Sequence, residues 1–453
     1  MRYLPLTEEE RKRIYDQCEI NSFDELVDNI PKELRIDSLK IPTEASETEL
    51  LNIFKEKASR TRASDFDCYL GQGVYDHEWP RVIDYLISRG EFLTAYTPYQ
   101  AELSQGTLQS LFEFQSMIAE LMGMEVSNAS LYDYSTACVE ACLMAARIKK
   151  KSSGVFLITE GFYERTQKIL RSYLEPIGFE VKVWEADAES WSSTEKSYDQ
   201  NSEVIAVLAQ SPNRWGKIEG WTEARSLAEK NSALKIACIP NMHSLSLFQS
   251  PGEEDFDIAV GEGQGLGIPM GYGGPYLGLL CTKKKYIRQI PGRLVGATES
   301  IHGEAAYCIT LATREQHIRR EKATSNICSN QNLMALRAAM YLSILSQSGL
   351  EKIASSQYSN AVFMAEEISK KLKLPSQSTD GKHFNEIAFA VNEKQLAKLQ
   401  LMEKKLHEKK ILPWLFDKAP NQSKETQSIV LSFTEKYTPE KLNYFLESIE
   451  ASL

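Results

Sequence analysis

The sequence predicts an α/β fold: a mostly parallel sheet in a large domain, followed by a smaller C-terminal α/β domain. Three observations carry this. Short segments rich in Val, Ile and Leu follow one another from residue 154: GVFLIT (154–159), EVKVWE (180–185), VIAVLA (204–209), LKIACI (234–239), DIAV (257–260) and PYLGLLC (275–281). Several are separated by amphipathic stretches of helical length, such as 163–174 and 223–230. Strands this evenly apolar belong to a sheet covered on both faces, and their connections are crossover helices. In such sheets ligands gather at the carboxyl ends of the strands, so functional residues are expected in the loops just beyond them.

Around this centre the other elements follow in order. Residues 1–70 read as a helical arm. Thr7 with Glu10, and Ser22 with Glu25, fit the capping box in which a hydroxyl and a carboxylate satisfy helix N–H groups reciprocally. Leu26 and Ile30 share a face of the second helix before Pro31 ends it. Such an arm buries little apolar area alone and is expected to wrap another domain or chain. The large domain is expected over 71–325. In it, residues 107–122 form a helix whose stripe is Leu108, Leu111, Phe112, Ile118, Leu121 and Met122, with Gly123 as its stop and Gln115 interrupting the apolar face. A second helix is expected over 137–150, with Ser135 and Thr136 as caps and Lys150-Lys151 at its negative dipole end. The small domain, 326–453, holds a helix from about 330 to 347, FNEIAFAVN (384–392), a helix, SIVLSF (428–433), and a last helix with Thr438 as N-cap and Pro439 at its first position.

Composition narrows the function classes. Hydrophobic residues make up 42% and charged residues 25%, as in soluble globular proteins. A net charge of -10 argues against non-specific nucleic-acid binding, which needs a basic surface. The first residues carry no apolar core of signal-peptide length, and no run approaches the roughly 18 apolar residues of a membrane span. Eight cysteines without a CxxC pair suit reduced thiols. A cytoplasmic protein is expected.

The motifs are mostly negative. Gly261, Gly263, Gly265 and Gly267 do not have the G-x-G-x-x-G spacing, and Ile268-Pro269 follows where a dinucleotide site needs a helix. There is no HExxH, no G-x-S-x-G and no phosphate-binding P-loop. Cys138 and Cys142, one turn apart, read as buried small apolar residues. NASLYDYSTA (128–137) leads into a helix N-terminus, where Ser135 and Thr136 suit either an anion or ordinary capping. YTPYQAELSQG (96–106) concentrates Tyr96, Tyr99, Gln100, Glu102, Ser104 and Gln105, a set that suits a polar site or a subunit contact. REQHIRREK (314–322) reads as a solvated helix face, with Glu315 and Arg319 paired at i,i+4.

Several long stretches together resemble one family. FDCYLGQGVYDHEWP (66–80), EFLTAYTPYQAELSQGTLQSLFEFQSMIAELMGM (91–124), GEGQGLGIPMGYGGPYLG (261–278) and REQHIRREKATSNICSNQ (314–331) are similar to the alpha subunit of the glycine cleavage P-protein, as are the RYLP and DELVDNIP segments. The resemblance implies the aspartate-aminotransferase type of pyridoxal-phosphate-dependent transferase fold. Enzymes of that type need a lysine for the cofactor and an acid for its ring nitrogen. Counting back from Gly273-Gly274-Pro275, the lysine position falls at Gln264; aligned on Pro251-Gly252, the acid position falls at Asn241. Tyr134 stands where the family usually has glycine, which bears on the phosphate cup near Ser135 and Thr136. The resemblance therefore implies a chain with no catalytic residue of its own, which supports a beta subunit that binds the pyridoxal phosphate in a heterotetramer of two alpha and two beta chains. Together they would decarboxylate glycine as a glycine dehydrogenase and pass the aminomethyl group to the lipoyl arm of the H-protein. Tyr96, Tyr99, Gln100, Glu102, Ser104, Gln105, Arg314, His317 and Arg319 are the candidates for the partner's site or the interface. Two other readings remain: a stand-alone lyase or transferase using Lys217 or one of Lys283, Lys284 and Lys285, and a pure assembly or regulatory subunit.

Overall fold

The computed structural model describes residues 6–36, 41, 44–61, 65–185, 203–219, 221–325, 327, 330–376, 382–419 and 427–453. The RYLP segment and Cys328 lie outside them. The chain divides into two compact units, Met1–Ser64 and Asp65–Leu453.

The first unit holds two longer helices, Glu8–Gln17 and Glu47–Arg60. The Thr7–Glu10 capping box is present, and Ser46 with Glu49 forms another. The expected Ser22–Glu25 box is not formed. Asn21 Nδ2 donates to the Glu25 carboxylate at 3.0 Å, and that helix is a single turn, Phe23–Leu26. Leu26 and Ile30 are both exposed, so they share no buried face. None of the unit's described residues is buried.

In the second unit the main sheet contains β1 (Val126–Ser127), β2 (Gly154–Thr159), β3 (Phe179–Trp184), β4 (Val204–Gln210), β5 (Leu234–Ile239), β6 (Ile258–Glu262) and β7 (Gly278–Thr282). Their order is β1-β7-β6-β5-β4-β2-β3. Strands β2 to β6 run parallel, whereas β7 is antiparallel to both β6 and β1. Alternating side chains feed two cores. On one face, helices α1 (Gln105–Leu121) and, further on, α4 (Trp221–Lys230) and α5 (Asn332–Leu372) cover Val155, Leu157, Val207, Ala237, Ile239 and Ala259. On the other, α2 (Tyr134–Lys149) and α3 (Glu164–Leu174) cover Phe156, Ile158, Ala206, Leu208, Ile236 and Val260.

Two local expectations are corrected here. The cap of α2 is Asp133, in a capping box with Thr136, so the helix starts three residues earlier than residue 137. Asp133 can leave the helix on an extended φ while its carboxylate takes the Thr136 amide at 2.9 Å; Ser135 already lies in the first turn. The 314–322 segment is one α-turn, Gln316–Arg319, because Arg320 adopts a left-handed φ of 52° that a continuing helix cannot contain.

Gln115 shows why α1 breaks its own apolar stripe. It is buried, donates to the Val295 carbonyl at 2.9 Å and accepts the Val295 amide at 2.9 Å. Gln105 does the same to Tyr307 at 2.9 Å in each direction. Val295 and Tyr307 sit on β8 (Val295–Glu299) and β9 (Ala305–Ile309), an antiparallel hairpin that the sequence pattern did not announce. The helix thus substitutes for the next strand on both arms of the hairpin.

The smaller sheet is antiparallel, β10 (Glu386–Val391), β11 (Leu415–Lys418) and β12 (Gln427–Ser432) in the order β10-β12-β11. It packs with α5, α6 (Glu393–Glu408) and α7 (Pro439–Glu450). Thr438 caps α7 with Pro439 in its first turn. Ser346 (φ 54°) divides α5 into two helices, so the first ends close to the expected residue 347 and a second follows to Leu372. Among the described residues, no helix is long and apolar enough to cross a membrane.

Candidate functional site

The carboxyl ends of β5 and β6 and the first turn of α2 converge, and the last residue of β6 organises the meeting. Glu262 is 5% exposed. Its Oε2 accepts the Tyr134 amide at 3.0 Å, and its Oε1 accepts the Gln264 amide at 2.9 Å and the Leu277 amide at 3.1 Å. The first N–H groups of a helix have no partner within it and carry the positive end of its dipole, so a carboxylate belongs there. Burial pushes the carboxyl up to about 7; the three amide bonds pull the other way, and Asp133 adds to the rise.

Gln264 is equally committed. Its Oε1 accepts the Tyr75 amide at 3.3 Å, while its Nε2 donates to the Tyr75 carbonyl at 3.1 Å and the Ile268 carbonyl at 2.9 Å. Both amide protons are used. The next residue is closely packed: a Cβ on Gly265 would stand 3.2 Å from His77 Nε2 and 3.4 Å from His243 Cε1.

Buried aromatic side chains fill the neighbouring space. Tyr134 donates its hydroxyl to Gln210 Oε1 at 3.0 Å, and the same oxygen takes the Tyr163 amide at 3.2 Å. The Tyr134 and Tyr163 rings meet edge to face, and the Tyr163 and Tyr75 hydroxyls lie 3.2 Å apart. Beyond them Glu386 of β10 accepts the Gln72 amide. Burial pushes the Glu386 carboxyl up to about 8, against the pull of hydrogen bonds from Gln72, Tyr75 and Tyr163.

Asn241 follows β5, beside the end of β6 because Ile239 pairs with Gly261. Its Oδ1 accepts the His243 amide at 3.1 Å, and its Nδ2 has no hydrogen-bond partner among the described residues. His243 takes a hydrogen bond from Gln357 on Nδ1 at 2.9 Å and has Tyr341 Oη 3.1 Å from Nε2. Burial, with His77 beside it, pushes His243 down to about 3, so the ring is neutral. Glu435 stands 3.2 Å from His77 Nδ1 and accepts from Gln357 at 2.9 Å. Burial raises the Glu435 carboxyl, but the two histidines and the Glu78 amide outweigh it and hold it at about 2.

The remaining candidates sort into two places. Ser135 and Thr136 share the first turn of α2 with Tyr134, but neither hydroxyl is spare. Ser135 bonds Thr166 at 2.9 Å and Thr136 bonds the Asp133 carbonyl at 3.1 Å. Of the two readings open for this turn, ordinary capping is the one realised, by Asp133. The 96–105 loop is pinned from below. Tyr99 accepts from Arg293 at 3.2 Å under a cation–π contact, and the Tyr96 carbonyl accepts from Asn332 at 3.3 Å. Gln105 is turned inward, Ser104 is half-buried, and Tyr96, Gln100, Glu102 and Leu103 face solvent. Arg314 is buried with its donors on the carbonyls of Ile290, Gly292 and Leu311, so it anchors the segment that ends at Arg293. Arg319 is exposed and donates to the Thr313 carbonyl at 3.2 Å. The His317 side chain lies outside the described residues.

Sequence reasoning missed Glu262, Tyr75, Tyr163, Gln210 and Glu386. The signal was present for the first of these: an acid at the end of an otherwise apolar strand, directly before the glycine-rich turn. Of the lysines of the stand-alone reading, Lys283, Lys284 and Lys285 lie elsewhere, whereas Lys217 follows β4 at the same end of the sheet as Gln264. Lys283 follows the antiparallel β7, whose Thr282 pairs with Ile258 at the start of β6, and it binds Asp255 at 2.6 Å, at the opposite end of the sheet from Gln264. Lys217 is buried in the turn after β4 with its amide on Asn213 Oδ1 at 3.1 Å. Cavities of about 340 and 360 Å³ are lined by neither Glu262, Gln264 nor Tyr134.

Residues 1–449 match a family model described as glycine cleavage system P-protein. A relative from Aquifex aeolicus (strain VF5), described as probable glycine dehydrogenase (decarboxylating) subunit 1, is 42% identical over 98% of this chain and 99% of its own length. A relative of the same description from Staphylococcus carnosus (strain TM300) is 38% identical over 99% of this chain and 98% of its own. Among solved structures, glycine decarboxylase (P-protein) of the glycine cleavage system, in inhibitor-bound form, superposes with a TM-score of 0.88 at 35% identity, covering 100% of both chains. A Lactobacillus brevis glutamate decarboxylase, 12% identical, superposes at 0.69 over 93% of this chain and 95% of its own, which speaks for the fold alone.

The fold is that of the aspartate-aminotransferase type of pyridoxal-phosphate-dependent enzymes. Pyridoxal phosphate needs an amine for its aldehyde, free donors for its phosphate and room for its ring. At the end of β6 the side chain is an amide with both protons bonded, the helix N-terminus is bonded to a carboxylate, and tyrosines pack the space beside it. The residues around Gln264 do not fit that cofactor.

Proposed function

Because this chain belongs to the glycine cleavage system P-protein family, we propose that it is one half of a two-chain glycine decarboxylase in which the other half, the beta subunit, holds the pyridoxal phosphate. The observation that carries this reading is the Gln264 side chain. It stands where the family resemblance puts the cofactor lysine, and its amide is spent on the Tyr75 and Ile268 backbone. Glycine is then decarboxylated on the partner chain, and the aminomethyl group passes to the lipoyl arm of the H-protein. Two copies of each chain form the assembly, in a bacterial cytoplasm.

This chain's part is to complete the partner's site or hold it in place, and the 96–105 loop is the element best suited to do so. It is held by Arg293 on the Tyr99 hydroxyl, Asn332 on the Tyr96 carbonyl and the Tyr307 backbone on the Gln105 side chain, while Tyr96 (79% exposed) and Leu103 (82% exposed) project outward with Gln100 and Glu102. A rigid loop with exposed aromatic and polar groups loses little entropy on contact. Arg314 supports it through Arg293, and Arg319 and His317 extend the same chain segment.

The test is glycine-dependent release of carbon dioxide by purified complexes carrying Gln100→Ala or Glu102→Ala in this chain. A loss of tenfold or more, at unchanged thermal stability, is expected of residues at the partner's site. Normal turnover of both variants removes the loop from the reaction and leaves an assembly role.

A further inference from the structure

We propose that the Glu262 carboxyl is the chain's own acceptor at the N-terminus of α2, and that it keeps this position closed to phosphate and phosphate esters. A helix N-terminus with its free amides is a ready anion site. Here three amides from separate segments, Tyr134 of the helix, Gln264 of the turn after β6 and Leu277 before β7, point at one place. What they meet is not solvent but a side chain carried in on the adjacent strand. The carboxylate offers two oxygens to three donors, as two oxygens of a phosphate would.

The backbone around it is shaped for close approach. Gly278, opposite Glu262 in the β6–β7 pair, has no room for a Cβ, which would stand 2.6 Å from the Asp133 carbonyl oxygen and 2.9 Å from its nitrogen. Strand β7 is thus drawn against the residue that caps α2. The position is buried, yet Tyr276, whose hydroxyl feels the Glu262 charge, is only half-buried, and the turn ahead of it exposes Met270 and Tyr272.

The inference rests on these bonds and stands whether or not the chain serves glycine decarboxylation. It is tested on the full chain by thermal unfolding in inorganic phosphate against chloride at equal ionic strength. Wild type should show only the gradual, non-saturating rise in melting temperature that phosphate gives folded proteins in general. Glu262→Ala should melt lower in chloride and be restored by phosphate in a saturable way, with at least tenfold tighter apparent phosphate binding than wild type. A folded Glu262→Ala chain that ignores phosphate overturns the proposal. If that variant does not fold, amide hydrogen exchange of the wild-type chain decides. Slow exchange at Tyr134, Gln264 and Leu277, unchanged by phosphate, supports an internal acceptor, and phosphate-dependent slowing shows an open site and refutes it. None of these readouts involves glycine or a partner chain.

Discussion

The Glu262 carboxylate accepts the Tyr134 amide at 3.0 Å, which ties the end of β6 to the first turn of α2. Beside it, Gln264 grips both sides of the Tyr75 residue. In an α/β sheet of this type the carboxyl ends of the strands are where chemistry is usually carried out. Here the same position is bonded internally, by side chains whose shapes match their backbone partners.

A lysine at Gln264 should therefore not create a cofactor site. Gln264→Lys removes an acceptor for the Tyr75 amide and places an ammonium among buried groups, at a cost of about 3 kcal/mol or more. Chemical unfolding should show that loss. Incubation with pyridoxal phosphate followed by borohydride should leave residue 264 unlabelled; efficient labelling there would mean that the surrounding space does admit the cofactor.

Two carboxyls set a pH dependence of stability with a definite sign. Glu262 and Glu386 are raised by burial to about 7 and about 8, from 4.5. A carboxyl with a raised folded pKa binds its proton more tightly in the native state. Its contribution is therefore complete below about 4.5 and is lost as pH climbs through 7 and 8. His243 acts from the other side: lowered from 6.5 to about 3, it contributes fully above 6.5 and progressively less as pH falls toward 3. Melting temperatures across this range should decline on the alkaline side, and Glu386→Gln should flatten that decline. An unchanged alkaline slope in the variant would mean that Glu386 does not carry it.

How much of this could be read in the sequence differs by element. The strands β2 to β6 were legible because a covered parallel sheet demands continuous apolar runs, and Pro439 after Thr438 marked the last helix for a local reason. The hairpin β8–β9 was not, since its sequences VGATE and AAYCI are exposed or half-buried apart from Val295 and its outer bonding partners are two glutamines 180 and 202 residues away. The site was legible mainly by its departures, Gln264, Asn241 and Tyr134, and Glu262 could have been found as an acid ending an apolar strand. What these groups bond to, and the parts of Tyr163, Gln210 and Glu386, depend on which strand ends lie side by side, and no local pattern encodes that.

The Gln115 contact gives a third prediction. Gln115→Leu restores the apolar stripe of α1 but strands the Val295 amide and carbonyl in a buried position, which costs about 2–4 kcal/mol. Hydrogen exchange should accelerate in β8 while β2 to β6 stay protected. Wild-type exchange in the hairpin would show that the glutamine is dispensable there.

The loop proposed to face the partner yields a fourth. Tyr96→Ser and Leu103→Ser remove exposed apolar area and leave the pins at Arg293, Asn332 and Gln105 in place. The isolated chain should melt as wild type does, while its dissociation constant for the beta chain, measured by analytical ultracentrifugation, should rise about tenfold, or about 1.4 kcal/mol. Unchanged association would place the interface elsewhere.

The most direct measurement is borohydride reduction of the purified chain in pyridoxal phosphate, with peptide mass spectrometry to locate any modified lysine. The account predicts no site-specific label on this chain alone, and glycine decarboxylation only once the beta chain is added. Stoichiometric labelling of a single lysine, with activity in the absence of a partner, would contradict it.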